Sequence, residues 1–243
     1  MSGNPFTAQR DFVAGNAFVD FDLRGVVALT GSDRLSYLDS LVSQDVSQLA
    51  PGQSAEALLL DPQGHIERVM WLLEDGATTW ILVDEGEAPP VAAFLDRMTF
   101  SKDAEARDVS DAFYRVGYFA GGPAQVLALS VAAVPNGIPL EWTDPWSSVS
   151  TGGWQYASGP NHPGADWNYR EAIIPRSVAL SAFDAIERIR TQDWEALRMA
   201  AWRPRFKTEV DAHSLPHEYD WMRSAVHLNK GCYRGQETVA KVH

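Results

Sequence analysis

The residues best suited to chemistry lie together near the end of the chain, in Lys230-Gly231-Cys232-Tyr233-Arg234-Gly235-Gln236-Glu237. Cys232 is the only cysteine among 243 residues. Glycine tolerates positive φ and close backbone approach, so the flanking Gly231 and Gly235 predict a shaped loop and not the interior of a helix or strand. Lys230 and Arg234 bracket the thiol, and cationic neighbours favour the thiolate, the form that attacks electrophiles or binds metal. A free cysteine can equally be a small buried hydrophobe. The polar and glycine-rich flanks favour the exposed, functional reading. On that reading Cys232 is the reactive thiol and Lys230 part of its electrostatic setting.

Other chemistry is less well supplied. His213 and His217 stand four apart, a spacing that puts two metal ligands on one helical face, but Pro216 interrupts such a helix and the wider spacing fits no compact zinc module. No metal ligand is assigned. The sequence contains neither the P-loop pattern nor a G-x-G-x-x-G fingerprint, and no Gly-x-Ser-x-Gly elbow for a serine nucleophile.

The bulk properties narrow the class. Apolar residues make up 45% of the chain and charged residues 21%, ordinary for a globular protein. A single cysteine excludes an internal disulfide framework. The opening residues lack a basic segment followed by an apolar run, and no stretch has the length of a membrane span, so the expectation is a soluble cytoplasmic protein. The net charge of −12 argues against non-specific binding to nucleic acid or an anionic membrane. Residues 221–243 nevertheless carry a local +3, from Arg223, Lys230, Arg234 and Lys241 against Glu237. An anionic ligand is drawn to that end of the chain.

The elements that must position the cysteine loop can be read in outline. An apolar run over residues 25–30 predicts a strand, and Leu35, Leu38, Leu41 and Val42 predict one face of a helix capped by Ser32. Strand patterns follow at 55–60, 66–73 and 78–83, joined by Asp61-Pro62-Gln63-Gly64 and Glu74-Asp75-Gly76, both with turn chemistry. Pro89 and Pro90 suit the first turn of a helix to Met98. A strand is predicted at 113–119, and a loop-rich region at 135–163 whose tryptophans pin loops to a core. Phe183, Ile186 and Ile189 predict a helix over 181–190. Asp193 caps a further helix that carries Trp194 and ends before Pro204. The whole reads as α+β.

Lys230-Gly231-Cys232-Tyr233, with Gly235-Gln236-Glu237, resembles the signature of the YgfZ-type folate-binding proteins, relatives of the glycine-cleavage T-protein linked to iron–sulfur cluster maintenance. The likeness extends in register from about Leu29 to Lys241. It includes Leu29-Thr30-Gly31-Ser32-Asp33-Arg34-Leu35, Leu60-Asp61-Pro62-Gln63-Gly64, Phe100-Ser101-Lys102 and Trp194-Glu195-Ala196-Leu197-Arg198, then Pro216 and Glu218. The resemblance implies a T-protein-like fold in which residues 26–105 form an α+β domain inserted in a discontinuous folate-binding domain, 1–25 and 106–243. It also implies a small C-terminal β-barrel that this sequence does not include. The implied function is binding of tetrahydrofolate or a derivative in support of iron–sulfur cluster assembly or repair, with an indirect effect on tRNA modification. The implied partners are iron–sulfur proteins or assembly factors, with neither nucleic acid nor membrane bound directly.

By the same resemblance Trp194 matches a tryptophan set against the ligand, and a flat pterin suits indole stacking. A second such tryptophan is replaced here by Arg24, which can stack a planar ring or pair with a carboxylate. Arg198, Tyr233, Arg234, Gln236 and Glu237 complete the implied folate-binding and loop-scaffolding set. The alternatives are a folate-dependent one-carbon transferase and a non-catalytic interaction module. The paired aspartates of the transferases fall here near Arg68-Val69-Met70, and an acidic residue that meets the pterin falls near Ala200, so the carboxylates of that chemistry are missing, with Glu67 the nearest in sequence. An accessory factor is therefore expected over an aminomethyltransferase.

Overall fold

A computed structural model of the chain describes residues 4–157 and 161–243; the first three residues and 158–160, in the loop-rich region, lie outside it. In chain order the elements are α1 (Pro5–Val13), β1 (Ala17–Phe21), β2 (Gly25–Thr30), α2 (Arg34–Leu41), β3 (Ser54–Leu60), β4 (Ile66–Glu74), β5 (Thr78–Val83), α3 (Ala88–Met98), β6 (Glu105–Asp108), β7 (Phe113–Phe119), α4 (Pro123–Val131), β8 (Glu141–Thr143), β9 (Tyr169–Pro175), β10 (Glu187–Arg188), α5 (Thr191–Ala200), α6 (Phe206–Glu209) and α7 (Gln236–Val242). They build two five-stranded sheets, ordered β3-β4-β5-β2-β6 and β10-β1-β7-β9-β8. Every ladder is antiparallel except the short β1–β10 pair.

Alternation along the strands explains the layering. Successive residues of a strand point to opposite faces, so a strand buried on both sides feeds two cores. In β4, Val69, Trp71 and Leu73 enter the central core while Met70 and Leu72 enter the core under α2 and α3. In β5, Trp80 and Leu82 face the first and Ile81 and Val83 the second. The other sheet divides likewise: Val19, Phe21, Tyr169 and Ile173 face the central core, and Tyr114, Val116, Ala172 and Ile174 face α4. The central core therefore receives side chains from both sheets. Gly117 is required where β7 passes Tyr169, since a Cβ there would stand 2.1 Å from the phenol oxygen.

Several local expectations change. The helix read over 181–190 is not formed. A 3-10 turn at Leu180–Phe183 is followed by β10, whose residues pair with β1, and Ile189 donates its N–H to the Phe18 carbonyl. Spacing by three satisfied burial of Phe183 and Ile189 without a helix, because the edge of β1 offered backbone partners that helical residues could not have used. Helix α5 starts three residues earlier than Trp194, and Asp193 is not its cap; it sits in the first turn, bonded to the Arg190 guanidinium at 2.9 and 3.0 Å. A carboxylate there also suits the helix dipole. Ser32 does not cap α2 either. Its N–H and hydroxyl donate to Asp103 at 2.9 and 2.8 Å, tying the start of α2 to the segment before β6. Trp146 is buried as a loop pin, Trp142 is buried within β8, a strand in the region read as loop, and Trp154 is half exposed.

Candidate functional site

The cysteine loop is held from both ends. The Lys230 side chain is 2% exposed. Its Nζ donates to the Asp39 carbonyl and Oδ1, both at 2.8 Å, to the Val42 carbonyl at 3.0 Å and to the Gln44 carbonyl at 2.7 Å. All four acceptors lie at or just beyond the C-terminal end of α2, where carbonyls lack helical partners and a cation is favoured. Burial lowers the Lys230 pKa, opposed by the bond to Asp39. On the other side of Cys232, the Arg234 guanidinium pairs with both oxygens of Glu67 at 2.8 and 3.3 Å. Gly235, at φ +81°, lies against the β3–β4 turn so closely that a Cβ would meet the Asp61 carbonyl at 2.5 Å. Tyr233 is driven into the central core, and burial raises its phenol pKa to about 12. Gln236 and Glu237 open α7, where Gln236 reaches the Lys230 carbonyl and Glu237 pairs with Lys241.

The outcome is an anchored loop with an open tip. Cys232 is exposed, and a Cβ on Gly231 would meet nothing within 4 Å. The two cations expected to set the field of the thiol both have carboxylate partners, Asp39 and Glu67. They act here as anchors. Glu67 is correspondingly engaged and not a free base. Arg68 pairs with Glu87 at 2.7 Å, Val69 and Met70 are buried, and Ala200 is exposed. Among the described residues no group of three or more His, Cys, Asp and Glu side chains is placed to hold a metal ion.

The residues implied in ligand stacking gather elsewhere, in a closed chamber between the sheets. Trp194 is 4% exposed and meets Phe21 edge-on at 5.2 Å. The Arg24 guanidinium lies over the Phe21 ring at 3.5 Å and the Trp194 ring at 4.6 Å, so it covers the indole face the ligand was expected to use. Arg24 Nη1 donates to Glu171 Oε1 at 2.7 Å. Glu171 also accepts from Arg115 Nε at 2.7 Å and the Tyr169 hydroxyl at 2.8 Å. Burial pushes the Glu171 pKa up, but Arg115 and Arg24 outweigh it and hold the carboxyl below its ordinary range. The free space here is a cavity of about 10 Å³, room for roughly one water. Arg198, at the chamber's edge, is buried and bonded to Glu195, Glu209, Thr208 and the Arg203 carbonyl. The structure thus brings Trp194, Arg24 and Arg198 to one chamber and Lys230, Tyr233, Arg234, Gln236 and Glu237 to the Cys232 loop.

Glu171 and the acid Glu56 escaped the sequence reading. Glu56 accepts from the indoles of Trp71 and Trp221, from Ser224 and from Arg203. The available signal was a charged residue at an inward position of an apolar strand, which demands a buried partner.

Superposed on solved structures, the chain aligns with the glycine cleavage system aminomethyltransferase T from Bartonella henselae at a TM-score of 0.68, with 16% identity, over 96% of this chain and 65% of that one. The fold is T-protein-like. No family model matches the sequence. Among curated proteins, the T-protein-like chain is 26% identical over 236 residues to the mitochondrial iron–sulfur cluster assembly factor IBA57 homolog of Mycosarcoma maydis, covering 90% of this chain and 52% of that protein. It thus spans about half the length of this curated relative. Together the two matches support the resemblance to the aminomethyltransferase-like, iron–sulfur branch. No helix among the described residues is long and apolar enough to cross a membrane.

Proposed function

We propose that this protein is a tetrahydrofolate-binding accessory factor for iron–sulfur cluster assembly or repair, acting in the cytoplasm, with Cys232 as its working thiol. The observation that carries the reading is the exposed Cys232 on a loop tied down by Lys230 and Arg234. A reactive side chain held on a rigid mount meets a partner at low ordering cost. The partners on this reading are iron–sulfur proteins or assembly factors, and an effect on tRNA modification is indirect, through cluster-dependent enzymes. The similarity to an iron–sulfur assembly factor supports the pathway. We further propose the discontinuous division into 1–25 with 106–243 and an inserted 26–105; in its favour β2 to β5 share one sheet, whose edge strand β6 runs on past that boundary to Asp108.

For folate, the Trp194 chamber has the right surfaces, an indole face and a carboxylate able to accept from an aminopyrimidine edge, but Arg24 fills the space between them. A pterin fits these residues only when Arg24 leaves. A one-carbon transferase is not favoured, because Arg68, Val69 and Met70 supply no carboxylate and the nearest, Glu67, is paired with Arg234.

Alkylation tests the thiol. Cys232 in the native chain is expected to react with iodoacetamide at least as fast as in the same chain in denaturant, and Cys232→Ser to abolish support of cluster-dependent enzymes in cells while leaving the melting temperature unchanged. Slower reaction in the native state would identify a packing residue and remove the thiol from the mechanism.

A further inference from the structure

His213, paired in the sequence with His217, finds a different imidazole in the fold. Its ring stands edge-on to that of His65, with centroids 5.6 Å apart and planes at 84°. Two pinned turns bring the rings together. In the β3–β4 turn, Asp61 Oδ1 accepts from the N–H groups of Gln63 and His65, both at 2.8 Å. That turn is held against α7, where a Cβ on Gly64 would meet Thr238 at 2.8 Å. In the second turn, Asp211 Oδ1 accepts from the His213 N–H and the Ser214 hydroxyl, each at 2.9 Å. Ile66, the first residue of β4, joins the two by donating its N–H to the Ser214 carbonyl at 2.9 Å. The other oxygen of Asp61 lies 2.8 Å from His65 Nδ1. A carboxylate only accepts, so Nδ1 carries the proton and Nε2 keeps its lone pair.

We propose that His65 and His213 form a site for a divalent transition-metal ion of the zinc type, with Asp61 as the carboxylate that orients His65. Imidazole nitrogen is a ligand such ions prefer, whereas Mg²⁺ and Ca²⁺ take oxygen. A metal-bound histidine donates its other ring N–H to a carboxylate or carbonyl, which fixes the tautomer and raises the basicity of the ligating nitrogen. Asp61 stands in that relation to His65. With Zn–N bonds of about 2.0–2.1 Å, two imidazoles on one tetrahedral ion place their centroids about 5 Å apart. The His213 ring is exposed, and a small rotation closes the difference. The pair supplies two ligands and not the full set of a structural site, so the remaining positions stay open to water or an outside donor. Space for these exists, since His65 and Asp211 border a surface hollow of about 420 Å³. Both turns are fixed before the metal arrives, so little ordering cost opposes binding. None of these residues belongs to the Trp194 chamber or the Cys232 loop, and the inference stands apart from the folate and thiol readings.

The test titrates the full chain with zinc chloride by isothermal calorimetry, with magnesium chloride as control, and records the melting temperature with and without zinc. The wild type is expected to bind Zn²⁺, to melt higher in its presence because the ion ties the two turns together, and to ignore Mg²⁺. His65→Ala and His213→Ala are each expected to lower the zinc affinity by about tenfold or more and to abolish the melting shift. If His65→Ala fails to fold, His213→Ala decides, since its ring is exposed. Asp61→Asn keeps an oxygen for the turn N–H groups but sets an amide N–H against His65 Nδ1. Its zinc affinity is expected to fall about tenfold, and an unchanged affinity overturns the orienting role. His217→Ala is expected to bind as the wild type does. No zinc binding by the wild type, undiminished binding in either His65→Ala or His213→Ala, or loss in His217→Ala instead, overturns the site.

Discussion

Replacing Glu56 by alanine is expected to lower the melting temperature by on the order of 10 °C, from a loss of about 3–5 kcal/mol. Glu56 is fully buried on β3 and is the meeting point of the molecule's least replaceable polar contacts. Its Oε1 accepts from Trp71 Nε1 at 3.1 Å and Trp221 Nε1 at 3.2 Å and pairs with Arg203 Nη2 at 2.7 Å, while Oε2 accepts from Ser224 Oγ at 2.6 Å. Alanine removes all of these at once. Arg203, itself 4% exposed, would retain Asp144, bonded to its Nε at 2.9 Å, but one face of its guanidinium would be left without a counter-charge. Leaving a buried charge half-paired costs more than the pair contributed. Glu56→Gln should lose less, because the amide oxygen still accepts from an indole. A thermal melt followed by far-UV circular dichroism decides it. A shift of only a degree or two in Glu56→Ala would mean that water takes over these donors and that the central core is wetter than the side-chain geometry implies.

Lys230→Met is expected to destabilise the chain by about 3 kcal/mol and to free the cysteine loop. Methionine matches the length of the aliphatic stem but donates nothing. Three carbonyls, one in the last turn of α2 and two just past it, and the Asp39 carboxylate would lose their common donor. Asp39 is 22% exposed, so water can recover part of its solvation, which places the loss at the lower end for a broken buried pair. The site-specific readout is limited proteolysis: cleavage within residues 229–234 should appear in Lys230→Met at temperatures where the wild type is intact. Lys230→Arg should rescue poorly, since a planar fork cannot reach acceptors arranged around a point charge. If Lys230→Met leaves both stability and cleavage unchanged but slows alkylation of Cys232, then Lys230 acts on the thiol through its charge and the anchoring role assigned here is wrong.

The sequence alone determined whatever depends on short-range pattern. The sheet ordered β3-β4-β5-β2-β6 was legible because β2, β3, β4 and β5 are apolar runs bounded by turns of recognisable chemistry, and strands buried on both faces read as such runs. The cysteine loop was legible from its glycines, and exposure of Cys232 follows from the same local flexibility. The second sheet was mostly missed, because β1, β8 and β10 are short and find their partners far along the chain, as where Ala17 meets Glu187. Charge pairing was settled only in three dimensions. Lys230 and Arg234 look like neighbours of the thiol in sequence, yet their partners, Asp39 and Glu67, lie 191 and 167 residues away. At salt-bridge distance the near-contact partner dominates a charge's field, and no periodicity records which carboxylate that will be. Arg24 carries the same lesson: its type suggested stacking, but only tertiary packing decided that the face it stacks on is that of Trp194, the ring expected to receive a ligand.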